Sequence, residues 1–227
     1  PIQTWEQLEA FQFPTVETTD FSQFDLYAER LPKGMQIIAW LGGYFENTSW
    51  SMGIETFCFK LMDDRALVKE LFRRWGEYAI EVSRVAMDKP HVGAYWLSDD
   101  LGFNSGPFMR PEDNREFVFP VYAELGRMCR ARGIPFILHS CGRLHSILED
   151  LIACGVDCLH SLPPALYNLK ELKDTWGDRL SFAGNIDVDL LSRGKRETVR
   201  EAVHRAKAIQ QADPEGGVVL SSGNTVT

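Results

Sequence analysis

Six short apolar runs, MQIIAW, VGAYWL, IPFILH, VDCLHSL, LSFAGN and GVVLSS, recur from Met35 onward, none longer than seven residues. Runs of that length suit strands buried on both faces, where alternation with polar residues disappears. The segments between them carry apolar residues at helical spacing. Asp63 or Asp64 can cap a helix through ALVKELFRRWGEYAIEVSRVAM, in which Leu67, Leu71, Trp75, Tyr78 and Val82 share one face. Pro111 suits the first turn of the next helix, and Pro120 should break or kink it. Further helices are expected over Leu144 to Cys154, with Gly155 as the stop, around Ala165 to Trp176, and from Arg196 to Gln211.

Strand and helix in alternation argue for an α/β fold with a parallel sheet, either an open doubly wound sheet or a (β/α)8 barrel. No GxGxxG or GxxxxGK[ST] opens any helix, which favours the barrel. Six strands are countable where a barrel has eight, no helix follows the last, and the chain starts at Pro1. The expectation is therefore an incomplete (β/α)8 TIM barrel over 35–227, lacking an N-terminal portion and a final helix, with 1–34 as a helical or linker segment of the same domain.

The composition narrows the setting. A net charge of −8 without any basic run argues against a nucleic-acid partner. No apolar run approaches the length of a membrane span and no signal-peptide pattern opens the chain, so a cytoplasmic location is expected. Five cysteines, an odd number, point to reduced and mostly buried thiols rather than disulfides.

In parallel α/β folds the carboxyl ends of the strands surround the ligand. Those ends read GGYFEN, SDDLGFNSG, HSCG, HSLPP, GNID and SSGNT. Side chains alternate along a strand, so His139 and Cys141 point one way and Ser140 the other; one metal ion can take both. Asp99 or Asp100 can supply a third ligand, though neighbours face opposite ways and only one of them can. Either aspartate can instead staple its loop to the backbone, as can Asp187. His160 can line the mouth or bond a loop. His145 reads as a solvated or capping residue, Cys154 and Cys158 as core thiols, and His91 and His204 as surface residues.

Three segments taken in order, DDLGFNSGPFMRPEDNREFVFPVY, IPFILHSCGRLHSILEDLIACGVDCLHSL and GDRLSFAGNIDVDLLSRG, resemble the uroporphyrinogen decarboxylase superfamily, and HSCG is closest to its corrinoid-dependent methyltransferase branch. The resemblance implies a TIM barrel. In the methyltransferases it implies zinc held by an HxC pair and a later cysteine, which maps His139 and Cys141 onto the first two ligands and leaves Asn224 near the third. In the decarboxylases, which need no metal, it implies a porphyrinogen substrate, and places Trp50, Asp99 and Asn224 where tyrosine, serine or threonine, and histidine usually stand. Those departures, and acidic residues where a polyanion should bind, weigh against the decarboxylase. The expected function is zinc-assisted transfer of a methyl group to or from a corrinoid (cobamide) carrier, with a small-molecule methyl donor or acceptor and a corrinoid protein as partners. Asp99, Asp100 and Asn224 are the candidate catalytic residues, and His139 and Cys141 the metal ligands. Uroporphyrinogen decarboxylation in porphyrin biosynthesis, or an inactive barrel module, are the alternatives.

Overall fold

The computed structural model describes residues 1–212 and 216–224. Two short helices, α1 (Trp5–Ala10) and α2 (Ser22–Arg30), precede strand β1 (Ile37–Gly42). Then come α3 (Tyr44–Met52), α4 (Ile54–Asp63), α5 (Arg65–Met87), β2 (Val92–Ser98) and a two-stranded hairpin, β3 (Gly102–Phe103) with β4 (Gly106–Pro107). Helices α6 (Pro111–Phe117) and α7 (Phe119–Arg132) lead to β5 (Phe136–His139), α8 (Leu148–Cys154), β6 (Cys158–Ser161), α9 (Leu169–Trp176) and β7 (Ser181–Ile186). The described chain closes with α10 (Val188–Arg193), α11 (Arg196–Ala212) and β8 (Val218–Ser222).

Six strands form one parallel sheet in the order β1-β2-β5-β6-β7-β8, so each major strand pairs with the next one in the chain. A doubly wound sheet reverses its strand order at a switch point; this sheet never does, and it forms an arc of a (β/α)8 barrel. The helix-facing side chains Ala39, Tyr95, Leu97, Phe136, Leu138, Leu159 and Phe182 are sealed from water. Each contributes about 1.5–3 kcal/mol of burial for the larger apolar groups, which fixes which residues of every strand face the barrel interior. Among the described residues, no helix is long and apolar enough to cross a membrane.

Several helix ends follow the local chemistry. Asp64 caps α5 through Leu67 N at 3.3 Å, and Asn168 caps α9. Pro120 divides its segment into α6 and α7 at Val118. The expected helix from Leu144 starts later, at Leu148, behind a 3₁₀ turn over 145–147. The largest departure lies in 43–63, where GGYFEN opens α3 and α4 rather than a plain loop. Gly53, at φ +87°, makes the corner between them. In the N-terminal segment, Ile2 and Leu8 join the core, and Glu9 pairs with Arg74 of α5.

Candidate metal centre at the strand ends

The register of β2, β5 and β6 places Ser98, His139 and His160 on one rung. Beyond it the strand ends stay laced together: Asp99 N donates to His139 O at 2.9 Å, and Ser140 N to His160 O at 2.8 Å. Alternation then sorts the next four residues. Asp99 and Ser140 turn to the buried side, while Asp100 and Cys141 return to the mouth.

Asp99 is fully buried and accepts four hydrogen bonds, from Tyr44 N (3.1 Å), Phe45 N (2.8 Å), Glu46 N (2.9 Å) and the Tyr122 hydroxyl (2.8 Å). It thus caps the first turn of α3 from another strand, satisfying three helix N–H groups with a negative charge at the positive end of the helix. Burial pushes its carboxyl up to about 6, against the pull of those four donors. A Cβ at Gly43 would stand 2.4 Å from Asp99 Oδ1, so only glycine permits the approach.

Asp100 serves a different cluster. Its Oδ1 accepts from Cys141 N at 2.8 Å and lies 3.7 Å from His139 Nε2, and Cys141 Sγ also lies 3.7 Å from that nitrogen. One ligand atom from each of the three falls within 4.8 Å of the others. Tetrahedral zinc with ordinary bond lengths sets its nitrogen, sulfur and oxygen donors about 3.4–3.6 Å apart, so the two 3.7 Å separations at His139 Nε2 fit the ion closely, with all three donors within 4.8 Å of one another. Burial, then the Asp100 charge, push the Cys141 thiol up to about 12; it keeps its proton at neutral pH unless a cation offsets the thiolate. Burial pushes His139 down, toward the neutral ring that a metal requires. Gly142, at φ +89°, turns the chain behind Cys141, where a Cβ would meet Gly102 C at 2.2 Å.

Asn224 Nδ2 donates to Cys141 Sγ at 3.4 Å, so its amide is oriented as a donor to the sulfur. Beside His139 opens a cavity of about 550 Å³ lined by that residue and by Ile38, Trp40, Trp96, Ser98, His160, Ser222 and Asn224. Both indoles donate to Ser98 Oγ, Trp40 at 2.8 Å and Trp96 at 3.0 Å, which holds the two rings as one aromatic wall.

The structure brings Asp100, His139, Cys141, His160 and Asn224 to one mouth and sets Asp99 behind it. It keeps the other candidates elsewhere. His145 stacks on the Tyr167 ring at 4.8 Å, Asp187 caps α10 through Leu190 N at 2.8 Å, Trp50 is exposed on α3, and His91 and His204 face solvent. Cys154 and Cys158 are buried free thiols, as is Cys129. One residue escaped the sequence reading. Glu46, half-buried in the first turn of α3, is pushed up to about 7 by burial and then by the charges of Asp99 and Asp100. Its position in the first strand-end segment was the available signal, but an acid there cannot be told from a helix-start glutamate without knowing that α3 exists.

Comparison with known proteins adds two findings. The uroporphyrinogen decarboxylase (URO-D) family matches residues 2–227. Among solved structures, a methyltransferase from Methanosarcina mazei superposes with a TM-score of 0.70 at 19% identity, over 99% of this chain and 62% of that one. The chain thus spans less than two thirds of that protein's length. No curated protein matches the sequence.

Proposed function

The chain belongs to the uroporphyrinogen decarboxylase family, and from that premise we propose that it is a methyltransferase of the family, zinc-assisted, moving a methyl group to or from a corrinoid carrier. The observation that carries this reading is the convergence of Asp100, His139 and Cys141 on one point at the strand ends. A nitrogen, a sulfur and an oxygen donor, all three on partly exposed residues, suit a catalytic zinc site with one position left open rather than a closed four-ligand structural one. The metal would supply charge compensation, keeping a substrate thiol or similar weak acid as the anion that attacks a methyl–cobalt bond.

The residues of the chain do the rest. Asp99 and Gly43 fix α3 against the strand ends and so set the height of Asp100 above the sheet. The Asn224 amide supports negative charge on the Cys141 sulfur. Trp40 and Trp96 give the cavity an apolar wall suited to a small methylated molecule. No lysine or arginine is among the described lining residues, which suits such a molecule better than a polycarboxylate porphyrinogen.

Two measurements on the purified protein test the reading. Metal analysis should give about one zinc per chain after exposure to the ion, and methylcobalamin with a thiol should lose its methyl–cobalt absorption while the S-methyl product appears. Metal-free protein that decarboxylates uroporphyrinogen, or protein that takes up no zinc, would overturn it.

A further inference from the structure

The mouth holds a second histidine with no place in the ligand set. His160 lies opposite His139 in the β5–β6 register, their ring centroids 4.9 Å apart, and the two Nδ1 atoms approach to 2.6 Å. On its other side His160 Nε2 stands 3.1 Å from the carbonyl oxygen of Ser222, at the end of β8.

These two contacts determine where the protons sit. A carbonyl oxygen only accepts, so His160 Nε2 carries a hydrogen. In a neutral ring its Nδ1 then bears a lone pair. Two nitrogens at hydrogen-bond distance need one hydrogen between them, so His139 Nδ1 must donate it. His139 is left with its lone pair on Nε2, the nitrogen 3.7 Å from both Cys141 Sγ and Asp100 Oδ1. Burial lowers the pKa of both rings, in keeping with the neutral pair this chain of bonds requires. Trp96 packs against both, at 6.4 Å from His139 with planes 18° apart and 5.0 Å from His160, which restrains their rotation.

The geometry points to His160 as a positioning residue: anchored by the Ser222 carbonyl, it holds His139 in the Nδ1–H tautomer and so aims the Nε2 lone pair at the metal position. This role rests on the reading of His139 as a ligand. Outer partners of this kind commonly change metal affinity by about 10–100-fold.

The tautomer can be read without any metal. Long-range ¹H–¹⁵N correlation spectra of the metal-free, histidine-labelled full chain resolve the ring nitrogens of its five histidines, with His139 assigned by a His139→Gln variant. The expected result is Nδ1–H at His139 and Nε2–H at His160. His160→Asn retains an acceptor near the Nδ1 position and should keep the His139 tautomer and most of the zinc affinity. His160→Phe removes the acceptor; it should move His139 toward Nε2–H and weaken zinc by about 10–100-fold in chelator competition. An Nε2–H ring at His139 in the wild-type protein overturns the inference, as does a His160→Phe protein with unchanged tautomer and affinity. Wild-type protein with the expected tautomers that takes up no zinc would defeat the methyl-transfer reading while leaving the hydrogen-bond chain established.

Discussion

Around Asp99 one carboxylate meets four hydrogen-bond donors; around Asp100, one residue later, a carboxylate, a thiol and an imidazole nitrogen meet one another. In the first cluster donors and acceptors match, so a buried charge is tolerated and the outcome is rigidity. In the second, electron-pair groups face each other, and either the sulfur keeps its proton or a cation must balance them. Strand alternation sends adjacent aspartates into these two surroundings, and the matched cluster fixes the platform from which the other projects.

The largest effect should come from breaking the matched cluster. Asp99→Ala leaves three N–H groups of α3 and the Tyr122 hydroxyl without their acceptor, and should cost about 3–5 kcal/mol in urea unfolding. Cys141→Ala breaks the other side. It should weaken zinc binding more than about 100-fold, beyond the usual cost of losing an outer partner, while the unfolding midpoint scarcely moves. Asp100→Asn keeps an oxygen but removes the charge; about a tenfold loss of affinity, roughly 1.4 kcal/mol, is expected from chelator competition, again with little change in stability. A Cys141→Ala protein as unstable as Asp99→Ala would merge the two clusters into one structural unit and end the distinction.

The smallest effect concerns a carboxylate outside both. Glu70, partly buried, is held down to about 2, chiefly by its hydrogen bonds from Arg73 and then by Arg74. Its folded-state pKa is depressed, so its contribution is present above about 4.5 and fades as pH falls toward about 2. Solvent screening limits it to below about 1 kcal/mol. Glu70→Gln should therefore lower stability by that small amount at neutral pH, leave it nearly unchanged near pH 2, and so slightly flatten the acid limb in between, as followed by thermal melts across that range.

The strand set was legible because its members are short apolar runs that can be read without any knowledge of neighbours, although the expected burial on both faces fails in β1 and β8, where Ile38, Trp40 and Val219 are exposed. Alternation likewise paired His139 with Cys141 and separated Asp99 from Asp100, since that argument needs only one strand. Helices α3 and α4 were not legible: Asp99 caps α3 from 53 residues away, a long-range contact with no local signal. The same limit applied to His160, whose importance depends on a register between β5 and β6 and on a carbonyl of β8. The Asp64 cap and the break at Pro120 could be read in advance because their causes lie within a few residues.

Titration of the metal-free protein with cobalt(II), followed by visible and near-ultraviolet absorption, tests the central claim most directly, because the metal reports its own ligands. The account predicts saturation at about one equivalent, with the visible bands of a four-coordinate ion and a sulfur-to-cobalt charge-transfer band that Cys141→Ala abolishes. No uptake at that ratio, or a sulfur band that persists in the Cys141→Ala protein, would contradict it.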